Sequence, residues 1–87
     1  VKRISYVVRI DKDPESDWGA SVPDLPGCVA VAKTVDGALR RIQVAIELHR
    51  AGLRADGSRL PRPRRKMLVG APRSPRRSIY AWVDVAA

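Results

Sequence analysis

Val22-Pro23-Asp24-Leu25-Pro26-Gly27-Cys28 sets two prolines and a glycine between two short runs that alternate like strands. Pro23 and Pro26 fix φ and lack an N–H, so neither suits a central sheet ladder. Gly27 takes φ > 0 at no steric cost. Asp24 is placed to bond its own downstream backbone and close a turn. The segment reads as a rigid strand-to-strand connection that sets the exit angle of the next strand and also presents a surface.

Upstream, Ile4, Tyr6, Val8 and Ile10 alternate with Ser5, Val7 and Arg9, which predicts a first strand over Arg3 to Asp11 with one buried face. Lys12 to Ser16 reads as a hairpin loop. Trp18, Ala20 and Val22 then alternate with Gly19 and Ser21 as a second strand. Downstream, Cys28 to Lys33 makes a third. Thr34 is a good N-cap, and Asp36 complements the dipole of the helix that follows. Val35, Leu39, Ile42, Ala45/Ile46, His49 and Leu53 form its core stripe, which runs to about Arg54 and spans roughly 30 Å. Gly37 allows close packing on the sheet. Val44 and Leu48 make a second ridge off the stripe, available to another copy or a partner. Ser78 onward, with Ile79, Ala81, Val83 and Val85 on one face, gives a fourth strand. The fold class is therefore α+β, a β-β-β-α-β order with one helix packed on a small antiparallel-type sheet.

The 87 residues form one domain, and so small a core favours homo-oligomers, a dimer or tetramer. The single cysteine excludes a disulfide framework and suits a cytoplasmic setting. No apolar run is of membrane-spanning length. The net charge of +8 is local: residues 1–60 hold ten Lys/Arg and eight Asp/Glu, whereas residues 61–87 hold seven Lys/Arg and Asp84. Residues 61–77 form a Pro/Arg-rich connection, expected to be extended and mobile. There Arg62, Arg64, Arg65, Lys66, Arg73, Arg76 and Arg77 are candidates for binding nucleic acid non-specifically through phosphates. No aromatic accompanies them to stack on bases.

Catalytic and metal constellations are weak. Asp11, Asp13, Glu15 and Asp17 alternate in the first hairpin, but an EF-hand loop needs Gly sixth and Glu twelfth, and those places hold Ser16 and Val22. One histidine and one thiol do not make a zinc site. A Cys28/His49 pair is better read as packing than as nucleophile and base. The expectation is a binding protein, with no catalytic residue, metal or cofactor.

Gly19 to Cys28, with its Pro-Asp-Leu-Pro-Gly-Cys turn, resembles the hallmark of HicB-like antitoxins. The likeness continues through Thr34, Ala38-Leu39, Ala45-Ile46-Glu47-Leu48-His49 and Gly52-Leu53, then Asp56-Gly57, Leu60-Pro61 and Ala81-Trp82-Val83-Asp84-Val85. It covers residues 4–61 and 79–85. The resemblance implies a bacterial, non-enzymatic module with a partial RNase H-like fold that binds and neutralises a HicA-like, mRNA-cleaving toxin of a type II system. In keeping with that, Ser5 to Ile10 lacks the carboxylate an RNase H site would place on the first strand. The contact residues implied are Pro23, Asp24, Leu25, Pro26 and Gly27 of the turn, with Val44 and Leu48 of the helix ridge. Such toxins tend to be basic, so a contact with this chain requires acidic residues at the interface. The alternative is a stand-alone HicB-like protein that binds nucleic acid through residues 61–77. No C-terminal DNA-binding domain is expected within these residues, and so no autoregulation by this chain alone.

Overall fold

A computed structural model describes residues 2–12, 15–66 and 77–86. The elements run β1 (Arg3–Lys12), β2 (Trp18–Ser21), β3 (Val29–Ala32), α1 (Val35–Ala55) and β4 (Arg77–Ala86). All neighbours in the sheet are antiparallel, in the order β3-β2-β1-β4. The fold class and element order expected from the sequence are those observed, with strand ends differing by a residue.

Register explains which face is buried. Ile10 lies opposite Ala20 on one side and Ile79 on the other, and Ala20 lies opposite Ala30. Tyr6 lies opposite Val83, and Ile4 opposite Val85. Side chains directly opposite share a face, so these rows form one inner face under α1. The core there joins Tyr6, Val8, Ile10, Ala20, Val22, Leu25 and Cys28 to Ala38, Ile42 and Ile46 of the helix. Val7 departs from the alternation. It sits on the outer face opposite Trp82, yet it is fully buried.

The helix begins as its sequence dictates. Thr34 Oγ1 accepts from the Gly37 N–H at 3.0 Å, which satisfies one of the orphan donors of the first turn. A Cβ on Gly37 would come within 3.1 Å of the Ala32 Cβ, so the helix start packs too closely on β3 for a larger residue. The buried line differs from the expected stripe. It runs Ala38, Ile42, Ile46 and Arg50, with Leu39 and Ala45 at its margins. Arg50, a charged residue, ends the core-facing row in place of an apolar one. Val44 and Leu48 are exposed.

Candidate functional site

The 22–28 turn is a closed loop whose ends meet. The Val22 N–H donates to the Cys28 carbonyl at 3.2 Å, Leu25 N–H to Val22 at 3.0 Å, and Cys28 N–H to Leu25 at 3.0 Å. Gly27 has φ +86°, the left-handed conformation that favours glycine. Leu25 is fully buried and plugs the turn into the core, whereas Pro23, Pro26 and Gly27 are exposed. The turn therefore has an anchored base and an exposed crest.

Asp24 does not close the turn on its own downstream backbone. Its carboxylate instead takes Arg64, forty residues on. Arg64 Nη2 donates to Oδ1 at 2.8 Å, Nε to both oxygens at 3.1 Å, and the Arg64 N–H to Oδ2 at 2.9 Å. A forked, charge-assisted contact of this kind fixes orientation as well as position. The Arg64 side chain bonded to it holds the Asp24 carboxyl below its ordinary value, against an opposing push from partial burial. A few residues before, Tyr6 Oη donates to the Pro61 carbonyl at 3.0 Å. The stretch 60–66 has no regular secondary structure, but it is pinned to the turn side of the sheet at two points and is not simply a mobile connection up to Arg64.

Behind this contact lies a buried cation. Arg50 is 5% exposed, and its Nη1 donates to Tyr6 Oη at 2.6 Å. The Tyr6 hydroxyl thus accepts from Arg50 and donates to Pro61. The guanidinium lies 5.8 Å from the Tyr6 ring centre, within cation–π range. Arg50 Nε is buried without a hydrogen-bond partner, and no ion pair to Arg50 exists among the described residues. Sequence reasoning missed this relay. The stripe expected from the sequence passes through His49 and Leu53, whereas the structure turns Arg50 inward.

The consequence is a single composite surface. The crest residues Pro23, Pro26 and Gly27 stand beside a strap carrying exposed Arg62, Arg65 and Lys66. Asp24 and Arg64 are spent on each other, and Leu25 on the core, so these three shape the surface from beneath. Arg73 and Arg76 lie outside the described residues. Arg77 opens β4 with its side chain outside the described set. Val44 and Leu48 stand on the helix face turned away from the sheet.

Among the described residues, the catalytic candidates weighed from the sequence, Cys28 and His49, are not brought together as a nucleophile and base. Burial pushes the Cys28 thiol up, away from the reactive thiolate. No hydrogen bond joins Cys28 to His49, and no group of three His, Cys, Asp or Glu is placed to hold a metal ion. Asp11 is occupied by Arg9 Nε at 3.1 Å and by the Ser78 hydroxyl at 2.7 Å, while Asp13 lies outside the described residues. No helix there is long and apolar enough to cross a membrane.

A family model described as HicB-like antitoxin of bacterial toxin–antitoxin systems matches residues 6–86. The chain belongs to the HicB-like antitoxin family. Among curated relatives it is 37% identical over 46 residues to a UPF0150 protein of Archaeoglobus fulgidus, a match covering 53% of this chain and 67% of that protein. It is 49% identical over 47 residues to a UPF0150 protein of Helicobacter pylori, covering 54% of this chain and 64% of that one. These matches span about two thirds of each relative's length. Relatives of this chain thus occur in archaea as well as bacteria. Among solved structures, the N-terminal domain of Burkholderia pseudomallei antitoxin HicB superposes with TM-score 0.81 at 27% identity, over 97% of this chain and all of that one. A toxin–antitoxin complex from Streptococcus pneumoniae contributes a chain of the same fold, TM-score 0.78 at 16% identity, over 98% and 70% of the two chains. A chain of a HicA3 and HicB3 complex gives 0.68 at 20% identity, over 97% and 100%.

Proposed function

We propose that this chain is a non-catalytic antitoxin that binds and neutralises a HicA-type, mRNA-cleaving toxin. The observation that carries the proposal is the match to the antitoxin family across residues 6–86, together with a whole-chain superposition on the HicB N-terminal domain. The proposed contact consists of the crest residues Pro23, Pro26 and Gly27 and the exposed ridge Val44 and Leu48. Asp24 and Leu25 hold the crest in shape. Rigid crests suit recognition, because the bound shape is already paid for in the fold. The test is growth rescue. Cells expressing a HicA-type toxin from the chain's own operon should recover when the chain is co-expressed, and toxin should co-purify with it. Persisting growth arrest with the chain present and soluble would overturn the proposal.

A second reading has its own observation. Arg62, Arg65 and Lys66 are exposed on one strap, and such a row attracts phosphate. It predicts RNA or DNA binding that weakens steeply with salt and disappears when the three become glutamine. Salt-insensitive or absent binding removes it.

A further inference from the structure

The strap beside the crest carries four positive charges in five residues: Arg62, Arg64, Arg65 and Lys66. Arg62, Arg65 and Lys66 are exposed, and no carboxylate among the described residues pairs with them. Arg64 differs. It turns inward and commits its guanidinium to Asp24, with Nη2 at 2.8 Å from Oδ1 and Nε at 3.1 Å from either oxygen. The row of cations is thus interrupted at its middle by a carboxylate of the chain itself. Upstream, the Tyr6 hydroxyl ties the strap at the Pro61 carbonyl. Arg64 can therefore leave Asp24 without the whole strap leaving the sheet.

We propose that this ion pair is an exchange site, at which a phosphate of single-stranded nucleic acid displaces Asp24 from Arg64 and completes a phosphate-binding row from Arg62 to Lys66. The proposal rests on the nucleic-acid reading given above. A carboxylate and a phosphate each offer a guanidinium two oxygens within reach of its planar fork. The fork on Asp24 is therefore already the geometry that a phosphate takes. The pair is also open to exchange. The Arg64 side chain is 32% exposed and that of Asp24 16%, and water screens an ion pair of this kind.

The exposures set a condition on the exchange. Asp24 is mostly covered and loses its cation when Arg64 leaves, so a lone phosphate ion gains little over a carboxylate tethered in place. A polymer is favoured. With its backbone held by Arg62, Arg65 and Lys66, the next phosphate meets Arg64 at high local concentration. Asp24 acts as an internal competitor that reserves Arg64 for a chain of phosphates. Pro61 and Pro63 fix φ on either side of Arg62, so the strap loses less freedom when it is loaded. Residues 61–66 contain no aromatic to stack on bases, so the row reads charge and not sequence. The exchange also reaches the crest. With Arg64 withdrawn, the Asp24 carboxylate next to Pro23 is no longer neutralised, and nucleic acid on the strap makes the crest more negative.

The probe is a labelled oligothymidylate of about 20 nucleotides, read by fluorescence anisotropy on the full chain at about 100 mM salt. Asp24→Asn should bind it about three- to fivefold more tightly than the wild type, because Arg64 no longer leaves a carboxylate. Adding Arg64→Gln to that variant should remove the gain. A second measurement uses the wild type alone and so does not depend on any variant folding. Saturating oligonucleotide should strip hydrogen-exchange protection from the Arg64 amide, which donates to Asp24 Oδ2 at 2.9 Å, while the Leu25 amide within the crest stays protected. Binding left unchanged by Asp24→Asn would overturn the inference and leave the nucleic-acid reading standing. So would a gain that survives Arg64→Gln, since it would come from the lost negative charge alone, or an Arg64 amide still protected at saturation. Absence of binding by both the wild type and Asp24→Asn would overturn the inference and the nucleic-acid reading together, with the antitoxin proposal untouched.

Discussion

Replacing Tyr6 by Phe should unfold this protein far more readily than removal of one oxygen suggests. Tyr6 is fully buried, and its hydroxyl links Arg50 at 2.6 Å to the Pro61 carbonyl at 3.0 Å. Without the oxygen the guanidinium keeps its cation–π contact but loses its one hydrogen bond among the described residues, where its Nε is already unpaired. A hydrogen bond to a charged group is worth about 1.5–3 kcal/mol and the neutral bond to Pro61 about 1 kcal/mol. The expected loss is about 3 kcal/mol, a fall in Tm of roughly 12–24 °C at ~4–8 °C per kcal/mol for a domain of this size. Arg50→Met behaves differently. It removes the charge that burial penalises and keeps most of the volume, so it should lie within ~1 kcal/mol of the parent or above it. The double variant Tyr6→Phe/Arg50→Met then loses only the Pro61 bond, and the coupling between the sites is about 2 kcal/mol. The assay is urea unfolding followed by tryptophan fluorescence, at one protein concentration throughout so that self-association does not shift the midpoint. If the two substitutions add to within ~0.5 kcal/mol, or if Arg50→Met alone costs as much as Tyr6→Phe, the relay is not the source of the effect.

Other consequences follow from the same geometry. Asp24→Asn should free the strap and cost about 1 kcal/mol, since the pair is partly exposed, with loss of hydrogen-exchange protection at the Arg64 amide as the direct sign. The folded Asp24 carboxyl titrates below its unfolded value. Its contribution is therefore complete above about pH 4 and is lost as pH falls through the folded value; the asparagine variant should lack this acid-side loss of strap protection. Leu25→Ala should cost about 2–5 kcal/mol by emptying a fully buried site, whereas Gly27→Ala meets open space and should cost only the backbone strain of about 1–2 kcal/mol; chemical denaturation separates the two. Leu48→Glu, at a residue 68% exposed, should leave stability within about 0.5 kcal/mol while weakening toxin capture at least tenfold.

Much of the fold was legible because its signals are local. The period-two runs around Tyr6 and Ala20, the Thr34 cap and the glycine at 27 each state a backbone conformation that a few neighbouring residues decide. The crest was legible in its exposed part, Pro23, Pro26 and Gly27. What escaped is long-range. Nothing near Asp24 announces Arg64, and its role changed from turn closure to strap anchor because a guanidinium outcompetes a backbone N–H for a carboxylate. Arg50 escaped because a helix periodicity rule assigns charge to solvent, whereas a tyrosine hydroxyl from β1 was waiting in the core. Val7 escaped because alternation assigns it to the outer face, where it is nonetheless fully buried. The turn and the described start of the basic segment, residues 61–66, are joined for the same reason, through Asp24 and Arg64.

The most direct test of the antitoxin account is a titration of this chain into a HicA-type toxin that is cleaving RNA. The account predicts that cleavage stops at a fixed molar ratio, that the chain alone leaves the RNA intact, and that Leu48→Glu shifts the end point to higher concentration. Cleavage continuing undiminished at saturating, folded chain would contradict it.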